Sequence, residues 1–305
     1  MEAFLFDTLR LVVWLVILVT VFVPLEKLFA VRPAHVWRAQ TGIDLCWYFI
    51  NSLLPAAVIA FPLAMLTAAL HGRDPLGLYG AVSALPAWLK LLLAFVVNDA
   101  GAYWMHRWSH HSPLLWRFHA VHHSAEHLDW LVNTRAHPVD MVLIRSGGLV
   151  PVYLLGLGVS PSGAPDPMVA AITVLGTLWS FFIHANVRCR LGPLEWLVAT
   201  PAFHHWHHSD DGLRNRNYAA IFPWIDRLFG THHLPARLPT AYGIGAAMSP
   251  TLLGQFLDPF TVGIAANAVR SSGGAGRPVA AADADADALP TPAATVPAPT
   301  DTIGE

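Results

Sequence analysis

The chain has 305 residues, long enough for one large domain or two small ones. Hydrophobic residues make up 54% and charged residues only 12%, about half the charge of an ordinary soluble domain, which points to a membrane protein. The net charge of −2 gives no bulk field for a nucleic-acid partner, and two cysteines, Cys46 and Cys189, exclude a disulfide framework or a Cys-x-x-Cys metal site.

Five apolar stretches follow one another: Leu11–Ala30, Ile43–Leu70, Ala87–Met105, Val139–Val159 and Met168–Val187. A spanning helix needs about 20 mostly apolar residues, and the second and fifth stretches meet this comfortably. The first is interrupted by Glu26 and Lys27 and, with no basic leader or small-residue cleavage site, reads as a retained anchor. The third contains Asn98 and Asp99. The fourth contains Arg145 and the Gly147-Gly148 pair, which suits a bent or protein-buried helix. Lys27, Arg32 and Arg38 follow the first stretch, Arg107, Arg117 and Arg135 the third, and Arg188 and Arg190 the fifth. That bias predicts an outside N-terminus and histidine-rich segments on the cytoplasmic face. A short interfacial helix is expected over Leu252–Ile264. From Ser271 the chain turns to Ala-Asp and Pro/Thr/Ala repeats, too poor in apolar residues to build a core and therefore read as disordered. The expected fold is all-α: a helical integral membrane protein with about four to five apolar helices and a cytosolic histidine-rich helical cap. Its divisions are membrane helices over 1–94, a catalytic domain over 95–265 and the tail over 271–305.

Of 17 histidines, 15 fall between His106 and His233. His106 and His110 are spaced i, i+4, which places two imidazoles on one helix face. His119, His122 and His123 are spaced i, i+3, i+4, and His204, His207 and His208 repeat that spacing, with His205 directed elsewhere. A single catalytic zinc takes three protein ligands, so eight such imidazoles suit two metals. Imidazole accepts Zn, Cu, Fe or Ni, so the ligands alone leave the metal open. A competing pattern, His123-Ser-Ala-Glu126-His127, fits an inverted zinc-protease motif but leaves most of the histidines unexplained. His184, at the end of the fifth stretch, is either a ligand or a buried hydrogen-bonding residue, because an unsupported polar group there is costly. His137, before Pro138, is a weaker ligand candidate with capping as its alternative. Asp99 lies two turns before His106, where it could orient a ligand ring or make a helix-to-helix contact.

Asp99-Ala-Gly-Ala-Tyr103-Trp104-Met-His106-Arg107, Leu115-Trp116-Arg117-Phe118-His119-Ala-Val-His122-His123-Ser124 and Thr200-Pro201-Ala-Phe203-His204-His-Trp-His207-His208-Ser209 resemble the fatty acid hydroxylase / sterol desaturase superfamily. So does the closing segment Asn217-Tyr218-Ala and Trp224-Ile-Asp226-Arg227-Leu228-Phe229-Gly230-Thr231. The resemblance implies a cytosolic centre of two Fe ions and O2-dependent hydroxylation or desaturation of a lipid such as a sterol, fatty acid, sphingolipid or ether lipid. It implies the ligands His106, His110, His119, His122, His123, His204, His207 and His208. His184 matches an additional histidine before the third box, and His137 matches an Arg-x-His-Pro element. Some members carry another histidine where this chain has Arg188. No nucleotide-binding Gly-x-Gly-x-x-Gly or fused haem domain is evident, so the electron donor is expected to be a separate reductase, ferredoxin or cytochrome. A membrane zinc hydrolase and a metal transporter are the competing classes.

Overall fold

The computed structural model describes residues 2–33, 35–70, 73, 77–158, 167–211 and 215–261. The tail expected to be disordered lies outside them. The described residues form ten α-helices: α1 (Glu2–Phe29), α2 (Thr41–Leu70), α3 (Tyr79–Ser83), α4 (Ala87–His111), α5 (Pro113–His123), α6 (Pro138–Leu154), α7 (Pro167–His184), α8 (Pro201–His207), α9 (Pro223–Leu228) and α10 (Leu252–Leu257). No β-strand occurs among them. Of the short helix expected over 252–264, the described residues form α10 and a 3-10 turn over Asp258–Phe260, and 262–264 lie outside them.

Three helices are long and apolar enough to cross a membrane: Leu5–Phe29 within α1, α2, and α7. Their outer faces expose large apolar side chains, among them Phe6 at 69% and Phe61 at 71%. Such a surface needs lipid or another chain against it. Their inner faces meet around Leu11, Leu18, Phe22, Tyr48 and Phe181, with Trp130 stacked on Phe22 at 5.9 Å between centroids.

The third and fourth apolar stretches become α4 and α6, which pack mainly on each other. Glycine makes this approach possible. A Cβ on Gly101 would sit 2.2 Å from the Gly147 carbonyl oxygen, and one on Gly148 would sit 2.5 Å from Asn98 Oδ1.

Three helices around the histidines, α5, α6 and α8, begin in one recurrent way, with a capping side chain followed by proline at the first helical position. Ser112 accepts from Leu115 N before Pro113, and Thr200 accepts from Phe203 N before Pro201. His137 accepts from Val139 N before Pro138.

Candidate metal centre

Nine buried or half-buried histidines converge in two groups. One holds His106, His110, His119, His123 and His207; the other holds His122, His184, His204 and His208. Within each group the candidate ligand atoms all lie within 4.8 Å of one another. Two metal–imidazole bonds of about 2.1 Å span at most about 4.2 Å, so a small contraction would close either group around an ion. The groups share a wall: the His123 and His208 rings stack at 4.4 Å between centroids. Helix periodicity explains the division, because adjacent His122 and His123 point to different groups, as do His207 and His208.

The hydrogen bonds fix which nitrogen faces inward. His106 Nδ1 donates to the Tyr218 carbonyl at 2.8 Å, His207 Nδ1 to that of Arg216 at 2.7 Å, and His122 Nδ1 to that of Arg135 at 2.9 Å. His184 Nδ1 donates to the Ser180 carbonyl at 2.7 Å, and His119 Nδ1 to the Asp140 carboxylate at 2.9 Å. A carbonyl or carboxylate only accepts, so each Nδ1 carries the proton and each neutral ring keeps its lone pair on Nε2. Yet His106 Nε2 lies 3.1 Å from His119 Nε2, and His122 Nε2 lies 3.2 Å from His184 Nε2. Lone pairs meeting at that distance have no proton to share and repel. His110 Nε2 and His207 Nε2 are also buried with no hydrogen-bond partner. A cation in each group would satisfy all of these atoms, so the donor set fits two metal ions.

The rings are held neutral, as ligands must be. Burial, reinforced by neighbouring imidazoles, pushes His123, His207 and His208 well below the ordinary histidine range and His122 down to about 4.

Two supports outside the boxes orient these rings. The segment 215–218 serves three histidines of the first group: the Asn215 side-chain oxygen contacts His110 Nδ1 at 3.2 Å, and the Arg216 and Tyr218 carbonyls bind His207 and His106. Asp226 accepts from Tyr218 N and Ala219 N, and Asp99 accepts from Ala220, Ile221 and Phe222 N. Two buried carboxylates thus hold five consecutive amides of that loop. The second support is Arg135, whose carbonyl orients His122 and whose guanidinium is fork-bonded to Asp44 of α2 at 2.7 and 3.0 Å.

The eight box histidines and His184 therefore come together. His137 does not: its ring caps α6 through Nδ1 and meets the Phe256 carbonyl through Nε2 at 3.2 Å. Asp99 touches no histidine and acts on the 220–222 loop instead. His205 is directed away, bonding the Ala185 carbonyl and Tyr242. Glu126 and His127 of the inverted zinc motif are exposed and outside both groups. The sequence does not single out Asp140, and it marks Asn217 and Tyr218 only through the family resemblance, not as supports for the histidines. Asp140 had one signal, a carboxylate just inside an apolar stretch.

Residues 91–231 match the family model described as fatty acid hydroxylase. The chain's likeness to the fatty acid hydroxylase family lies in that segment. It spans α4 to Thr231 and so contains all nine clustered histidines together with Asp140, Asp99 and the 215–218 support. The chain is 36% identical over 181 residues to an ornithine lipid hydroxylase of Rhizobium tropici, covering 58% of this chain and 52% of that protein. It is 34% identical over 140 residues to the alkylglycerol monooxygenase of Danio rerio, covering 46% and 29% respectively. It is 28% identical over 152 residues to methylsterol monooxygenase 1 of Rattus norvegicus, covering 48% and 49%. The match thus spans about half or less of these relatives. No solved structure matches.

A cavity of about 260 Å³ opens beside the histidines, lined by His106, His119, His122, His184 and His204 and by apolar residues of α6 and α7. A larger one of about 660 Å³ lies between α1, α2 and α7. Asn133, Met141, Arg145, Thr173 and Thr177 line both, so the two spaces adjoin.

Proposed function

We propose that this chain is a multi-pass membrane enzyme that uses two iron ions and O2 to hydroxylate, or desaturate, a lipid. The observation that carries the reading is the pair of adjoining histidine groups opening on an apolar cavity that continues between the membrane-type helices. The proposed ligands are His106, His110, His119, His123 and His207 for one ion and His122, His184, His204 and His208 for the other.

Unactivated C–H bonds are beyond side-chain acids and bases, and bound iron with O2 would supply that oxidation. The protein's part is positional. Backbone carbonyls and Asp140 keep each Nε2 lone pair aimed inward. The adjoining cavities accept an alkyl chain from the bilayer and keep the reacting carbon beside the histidines and away from bulk water. The relatives' names describe a hydroxylase of ornithine lipid and monooxygenases of alkylglycerol and methylsterol, which supports a lipid as substrate. Electrons would come from a separate reductase, ferredoxin or cytochrome. The lysine and arginine bias supports a cytoplasmic position for the histidine groups.

The test is turnover by purified, iron-loaded protein on a total lipid extract with a chemical reductant. Products heavier by one oxygen, or lighter by two hydrogens, are expected in air. Equal turnover under strict anaerobiosis would refute the proposal.

A further inference from the structure

Arg145 lies on α6 seven residues beyond Pro138, roughly 10 Å along the helix. It lines both cavities where they adjoin. The surrounding helices leave it half-buried, and among the described residues no carboxylate, carbonyl or hydroxyl is bonded to its guanidinium. An unpaired, partly desolvated charge is costly, and at membrane depth such residues line substrate paths. The facing surface of α7 is polar as well: Thr173, Thr177, Ser180 and His184 recur at intervals of four, three and four, which places them on one face.

We propose that Arg145 binds the anionic group of the substrate, a lipid carboxylate or phosphate, where the two cavities adjoin. This rests on the lipid oxygenase reading and narrows its substrate class to acidic lipids. Arginine suits the role because its planar fork pairs with carboxylate or phosphate through two parallel hydrogen bonds. Both spaces, of about 660 Å³ and about 260 Å³, are large enough for a run of methylenes beside Arg145.

The experiment measures equilibrium binding of four hexadecyl probes to purified iron-loaded full-length protein in neutral detergent: palmitate, hexadecyl phosphate, hexadecanol and hexadecyltrimethylammonium. The two anions are expected to bind about tenfold or more tighter than hexadecanol, and the tighter of the two names the headgroup chemistry. Arg145→Met should abolish that preference while leaving hexadecanol affinity and iron content unchanged. Arg145→Lys should keep the preference in weakened form. Equal binding of anion and alcohol by the wild type, or a preference that survives Arg145→Met, overturns the proposal. Should Arg145→Met not fold, the wild-type ratio together with that of Arg145→Lys decides. Loss of O2-dependent turnover with the anion preference intact would instead count against the oxygenase reading.

Discussion

At the level of single residues, each candidate ligand depends on the group behind it. Asp140 accepts the Nδ1 proton of His119 and so keeps the ring's lone pair directed at its neighbours. Asp140→Asn removes the negative charge while preserving shape, and should weaken metal affinity about 10- to 100-fold, read by competition with a chelator. His137 makes the opposite case. Its ring caps α6 and bonds Phe256, so His137→Ala should cost about 0.5–2 kcal/mol of stability and leave the metal content unchanged. Metal loss in that variant at full folding would show that capping is not its main task. The ligand spacing was legible in the sequence because helical periodicity is local, and His184 stood out as a polar residue closing an apolar helix. The supports were less legible for a physical reason. A backbone carbonyl has no residue identity, so nothing in Arg135, Arg216 or Tyr218 announces that its main chain will orient a histidine.

At the level of helices, the seam between α4 and α6 decides whether the first group stays assembled. α4 carries His106 and His110, while α6 carries Asp140, which holds His119. The seam closes because Gly101 and Gly147 lack side chains. Gly101→Ala puts a methyl against the Gly147 backbone and should destabilise the protein by about 1–3 kcal/mol, with a lower melting temperature and partial loss of metal. The Gly147-Gly148 pair suggested a bend or protein burial of the fourth stretch; its use is close packing against α4. Asp99 illustrates a limit of face arguments. It lies two turns from His106, yet its carboxylate collects three amides of the 220–222 loop. Which partner a buried carboxylate takes depends on chain returning from 120 residues away, and periodicity within one helix carries no information on that.

For the whole molecule, burying so many imidazoles makes stability depend on pH when no metal is bound. His122 and His205 titrate near 4 in the folded chain, against about 6.5 when unfolded. Between those values the unfolded chain binds more protons, so stability falls as pH drops, by up to about 1.4 kcal/mol per pH unit for each such histidine. The metal-free protein should therefore melt progressively lower from pH 7 to pH 5, and the metal-loaded protein, whose ligand rings bind no protons, should melt higher throughout with at least as steep a pH dependence. A flat profile for the metal-free form would mean that these rings are hydrated rather than buried neutral.

The proposed centre places two ions among nine histidines, five around one and four around the other. Elemental analysis of purified, reconstituted protein, paired with His110→Ala and His208→Ala variants, addresses it most directly. Two irons per chain are expected in the wild type, with each variant losing metal from its own group first. A single ion per chain at saturation, or stoichiometric zinc in protein with oxygen-independent activity, would contradict the account.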